Sequence, residues 1–194
     1  MPCDARGVLA EIRRQPEYIE NIRWGRPRPG HPEGTIAAHI HELEANLGRL
    51  GDRLSPDQAD RVRLLIHVHD TFKPAATEGV SILDPRSHAS LARAFLARWY
   101  DDADLLNMVQ FHDEGYALYL KAGRGQGDAD AERLTRLVAA IRDWNTFLAF
   151  CVVDACTAGK SPAPILWFLR TARARPEVST CVDESWIETA TGAP

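Results

Sequence analysis

Along most of the chain apolar residues recur every three or four positions, and no run shows the strict alternation that a half-buried strand needs. The pattern predicts an all-α protein. Ile36, Ile40, Leu43, Leu47 and Leu50 form one apolar stripe, which requires a helix of about four turns with a single buried face. His39 borders that stripe. The next helix has its start spelled out in Ser55-Pro56-Asp57-Gln58: the serine can cap free amides, the proline fits the first helical position, and the glutamine can close a capping box. It runs through Val62, Leu65 and His69.

Beyond a connection containing glycine and proline, Asp84-Pro85 predicts another cap followed by a first-turn proline. His88 then falls in the first turns of a helix continued by Leu91, Phe95 and Trp99. The run Asp101-Asp102-Ala103-Asp104 opens a further helix through Met108, His112 and Tyr116, with His112 on its apolar stripe. Residues 121–130 read as a polar, glycine-rich loop without a phosphate-loop signature. From Ala131 to Ala158 the spacing of Leu134, Leu137, Ile141, Leu148 and Val152 predicts one long helix, its apolar end interrupted by Asp154. A short helix from Ile165 to Ala172 packs back onto the bundle, and the last ten residues read as a loosely held tail. No repeat or linker divides the chain. At 194 residues, a single-domain helical bundle over 1–194 is expected.

Composition adds exclusions. A hydrophobic fraction of 45% and a charged fraction of 26% are those of an ordinary globular protein. The net charge of -4 creates no field that would gather nucleic acid, despite the local cluster Arg23, Arg26 and Arg28. No stretch reaches the roughly 18 apolar residues of a membrane span, and the N-terminus lacks the apolar core of a secretory signal. The expectation is a cytoplasmic protein with a small-molecule substrate, no nucleic-acid polymer and no membrane partner. Cys3, Cys151, Cys156 and Cys181 show no C-x-x-C spacing and read as buried or bystander thiols.

Chemistry enters with the polar residues that break the apolar faces: His39, His69, Asp70, His88, His112 and Asp154. Buried polar groups cost free energy unless something satisfies them. Six such groups on several helices would each need a separate partner, whereas one or two shared cations satisfy all of them. Imidazole and carboxylate suit first-row divalent ions, iron or manganese foremost, with cobalt, nickel and zinc as further fits. Without a cysteine cluster a structural zinc site is disfavoured. Neighbouring helical residues point about 100° apart, so His69-Asp70 can serve two ions only with the carboxylate between them. That makes Asp70 a candidate bridge. His31, His41 and His67 read as structural or solvated.

The order His39, His69-Asp70, His88, His112, Asp154 resembles the HD-domain superfamily of metal-dependent phosphohydrolases, over about Gly30 to Lys160. The string GHPEGTIAAH, ending at His39, is similar to the segment that introduces the first ligand there; HVHDTFKP is similar to the name-giving motif with its following lysine. The resemblance implies a helical bundle around a metal centre, with His39, His69, Asp70 and Asp154 on a first ion. It places His88 and His112 at a second ion, hence a binuclear site of two divalent or mixed-valent transition metal ions. One departure is His112-Asp113, where two-metal phosphodiesterases often carry consecutive histidines. Hydrolysis of a small phosphate ester, such as a nucleotide, is the activity implied, through a water acidified by two cations roughly 3.5–4 Å apart.

Asp70 and Lys73 are the candidate catalytic groups: Lys73 follows Asp70 by one helical turn and can neutralise charge on a phosphate, the alternative being an ion pair at the helix C-terminus. Lys73 and Lys160 are the candidate substrate-binding residues, with Arg26 or Arg28 as further anion holders. Asp113 and Glu114 follow a candidate ligand directly and can orient it or carry a proton, or equally lie on the helix surface. Tyr100, Tyr116, Tyr119, Trp144 and Trp167 are core or pocket-lining aromatics. The same superfamily includes mixed-valent di-iron oxygenases, so cleavage of a C–C or C–P bond in a small polar substrate is the alternative expectation.

Overall fold

The computed structural model describes residues 4–123 and 127–192. Cys3 lies outside the described residues, as does part of the expected loop at 121–130. Among the described residues there are eleven α-helices and no strand, only two isolated β-bridges, so the all-α reading holds. Two short helices that the periodicity does not single out come first, α1 (Ala5–Ile12) and α2 (Pro16–Asn21). The predicted striped helix is α3 (Ile36–Leu50), with all five stripe residues buried. In α4 (Pro56–Val68) both halves of the Ser55/Gln58 capping box form.

Helix α4 is the hub. It packs against α1, α3, α5 (His88–Leu96), α6 (Ala103–Phe111) and α9 (Trp144–Ala155). Its second half is therefore buried on every side, from Leu64 to Val68. Facing it, α9 is buried nearly all round, as a helix apolar on all faces must be. One continuous apolar core joins these elements. The chain leaves α4 through a tight turn, with the Thr71 hydroxyl donating to the His67 carbonyl at 2.6 Å and a 3-10 turn at Lys73–Ala75. Asp70 is thus held at the centre of the bundle.

Four boundaries differ from the sequence expectation, each for a visible reason. Asp84 does not cap a helix: its carboxylate binds the amide and guanidinium of Arg86, and Ser87 takes the cap of α5 by accepting from the Ser90 amide at 3.1 Å. The helix through His112 breaks there, continuing as α7 (Glu114–Ala122). The expected helix 131–158 is two helices, α8 (Gly127–Ala140) and α9. At their junction Asp104, from α6, accepts from the amides of Arg142 and Asp143 at 2.7 and 2.9 Å, while Asp143 caps α9 through Thr146. The expected loose tail instead forms α11 (Ser185–Thr191), which buries Trp186, Ile187 and Ala190 against α3 and α9. Helix α10 (Ala163–Arg173) packs on α7, where Phe168 lies so close to Gly115 that an added Cβ would meet its ring at 2.7 Å.

No helix among the described residues is long and apolar enough to cross a membrane.

Candidate metal centre

Five helices deliver the six side chains to one place. His39 comes from the first turn of α3, His69 and Asp70 from the end of α4, His88 from the start of α5, His112 from the end of α6 and Asp154 from the end of α9. His39, His69 and Asp154 form one group of three whose ligand-type atoms lie within 4.8 Å of each other; Asp70, His88 and His112 form another. His39 Nε2 is 2.9 Å and His69 Nε2 3.9 Å from Asp154 Oδ1.

Asp70 stands between the two groups. Its Oδ2 is 3.5 Å from His69 Nε2, and its Oδ1 is 3.6 Å from His112 Nε2 and 3.9 Å from His88 Nε2. The kink after α6 adds a further donor, because Asp113 Oδ2 comes within 3.2 Å of His88 Nε2.

Hydrogen bonding at the far side of the rings fixes which nitrogen faces inward. His69 Nδ1 contacts the carbonyls of Leu65 and Ile66 at 3.2 and 3.1 Å, and His112 Nδ1 contacts the Val109 carbonyl at 2.8 Å. A carbonyl only accepts, so both Nδ1 atoms carry protons. In neutral His69 the Nε2 lone pair then points at two carboxylates, acceptors facing an acceptor. Burial pushes the His69 pKa down to about 4, so a proton does not resolve that conflict near neutrality. A cation does, and this is the fit between the donor set and a metal ion.

The electrostatics agree. Burial would raise the carboxyls of Asp70 and Asp154, yet both are held well below the ordinary aspartate range, chiefly by Lys73 and Lys160 respectively and then by the histidines. Lys73 Nζ ion-pairs with Asp70 Oδ2, and Lys160 Nζ is 3.1 Å from Asp154 Oδ1. Burial works against protonation of His112, but Asp113 and Asp70 outweigh it and push its pKa up to about 9. The field that draws a proton onto His112 is the field that draws a metal ion.

Two openings reach this centre. A cavity of about 500 Å³ exposes His69, Asp70, His112 and Asp154, together with Lys73, Lys160 and Tyr116. A larger cleft of about 910 Å³ reaches His88 and is lined by Trp24, Arg28 and Arg136. Lys73 and Asp113 border both.

Among the other singled-out residues, His41 is exposed. His67 is buried away from the centre, its ring nitrogens at 2.5 Å from the Tyr18 hydroxyl and 3.3 Å from Glu44. Trp144 is core, and Tyr119 stacks edge-on with Trp167. Glu114 is buried in a two-pronged pair with Arg133 at 2.6 Å. The thiols of Cys151 and Cys156 are pushed up by burial, the latter to about 11, and Cys181 is exposed and unpaired with another cysteine.

Two residues were passed over in the sequence. His31, read as structural, lies with Glu33 and His39 in a third cluster. Glu33, within the string GHPEGTIAAH, carries no periodic signal of its own, being a carboxylate in a glycine-flanked loop. The chain has no significant match among protein-family models, curated proteins or solved structures. Geometry and chemistry alone define the class: an all-helical protein with buried His/Asp groups able to hold metal.

Proposed function

We propose that the protein is a binuclear metal-dependent phosphohydrolase of the HD-domain type, acting on a small phosphate ester. The observation that carries this reading is the two-sided placement of Asp70, one oxygen toward His69 and the other toward His88 and His112. His39, His69, Asp154 and Asp70 Oδ2 would hold one ion; His88, His112 and Asp70 Oδ1 would hold the other. Two such ions supply Lewis-acid charge and acidify a water for attack on phosphorus.

The chain's own residues have three tasks. Lys73 and Lys160 pair with Asp70 and Asp154, and with cations on those carboxylates both ammonium groups would be available to an anion in the cavity they line. Asp113, half exposed at the border of both openings, is placed to accept a proton from an attacking water or to complete the second ligand set. The surrounding core of α4 and α9 keeps the inner ligands dry, which strengthens their charge interactions.

The test is metal content measured together with phosphate release from a panel of phosphate esters, with manganese or cobalt under argon. Asp70→Ala should lose most of the bound metal and the activity together; retained stoichiometry would refute the bridge. Two irons per chain with oxygen uptake only in the presence of a substrate would replace hydrolysis by the di-iron oxygenase reading.

A further inference from the structure

The segment from Gly25 to Thr35 is held in one shape by its backbone. It carries two isolated bridges, Gly25 with Thr35 and Arg28 with His31. Gly25 and Gly34 both have positive φ, at 119° and 82°, and a Cβ on Gly25 would meet the Gly34 carbonyl oxygen at 2.3 Å. This shape turns the Glu33 side chain inward, where it is only 4% exposed. Its Oε1 lies 3.0 Å from His31 Nδ1 and 3.1 Å from His39 Nδ1.

The contact with His39 is close but off-line. Glu33 Oε2 and His39 Nδ1 are both buried polar atoms with no hydrogen-bond partner. One is an acceptor and the other a ring nitrogen able to donate, on adjacent groups, so a small rotation satisfies both. His39 Nε2 meanwhile faces Asp154 in the centre. We infer that Glu33 is a positioning residue for the first metal site: it accepts a hydrogen bond from Nδ1–H of His39 once the two groups are aligned, which holds the ring in the tautomer that leaves the Nε2 lone pair free for the ion. This rests on His39 being a ligand, as proposed above. A carboxylate behind a ligating imidazole orients the ring and makes it a stronger donor. It also gives the string around Glu33 a physical purpose: the two glycines place one carboxylate.

The arrangement is selective. Glu33 approaches His39 and His31, the His/Glu group that does not include Asp70, His88 or His112. Removing the carboxylate therefore weakens one site and spares the other.

The experiment is a calorimetric titration of manganese into metal-free full-length protein, for wild type, Glu33→Gln and Glu33→Ala, with circular dichroism as a check on folding. Wild type should bind two ions. Glu33→Gln, which keeps an acceptor without the charge, should weaken one site about tenfold, and Glu33→Ala up to about a hundredfold. The other site should keep its affinity, and helix content should not change. Equal affinities in all three proteins overturn the inference, as does an equal loss at both sites, which is the mark of a structural role. A third ion lost on His31→Ala also overturns it, making the cluster a site of its own. Wild type binding no ion would overturn the proposed function, and the inference with it.

Discussion

At the scale of single residues, the centre is a balance of four carboxylates and four imidazoles in which tautomers matter as much as distances. His69 stays neutral because burial pushes its pKa down to about 4, while His112, beside Asp113 and Asp70, is pushed up to about 9. The sign of the pH effect follows. Below about pH 9 an ion must displace a proton from His112, so affinity at the second site should rise about tenfold per pH unit toward pH 9 and level off above it. Calorimetry in two buffers of different ionisation heat should show about one proton released near neutrality for the ion that enters the second site. Heats that do not depend on the buffer would refute this. The six ligand-type residues were legible in the sequence because each breaks an apolar stripe. Glu33 was not, since a carboxylate in a glycine-flanked loop looks solvated until the loop is folded.

At the scale of elements, the deviations from the predicted helices are where the site is made. His112 and Asp113 sit at the break between α6 and α7, where Asp113 Oδ2 lies 3.2 Å from His88 Nε2. Periodicity could not reveal the break, because apolar spacing continues across it. The α8/α9 junction has a similar origin: Asp104, nearly forty residues earlier in the chain, accepts the amides of Arg142 and Asp143. Asp104→Ala should leave two amides without partners and destabilise the protein by about 2–4 kcal/mol, with Asp104→Asn losing less. Chemical denaturation checks this; an unchanged midpoint would mean that the α8/α9 junction does not depend on Asp104. The caps at Ser55 and Ser87 belong to the opposite class. Their partners lie three residues away, so the Ser55 cap was readable directly, whereas Ser87 was hidden by the more conspicuous Asp84-Pro85 pair.

At the scale of the whole molecule, the centre ties α3, α4, α5, α6 and α9 together near the middle of the core. Ions held there would bind the folded chain and not the unfolded one, so each would stabilise it by about 2.7 kcal/mol at a hundredfold excess over its Kd. Thermal unfolding should shift upward by roughly 5–10 °C for each manganese ion bound and return on adding a chelator. A midpoint indifferent to both would mean that no ion bridges these helices. What the amino-acid order determined by itself was the all-α class, the stripe of α3, the start of α4 and the identity of the polar residues that interrupt apolar faces. These are local properties, written in spacing and composition. Tertiary structure alone decided that Asp70 presents one oxygen to each group of three, that the chain breaks at His112 and Ile141, that Glu33 stands behind His39, and that the C-terminal segment docks as α11. Each depends on groups far apart in sequence meeting through packing, and a one-dimensional periodicity holds no record of such meetings.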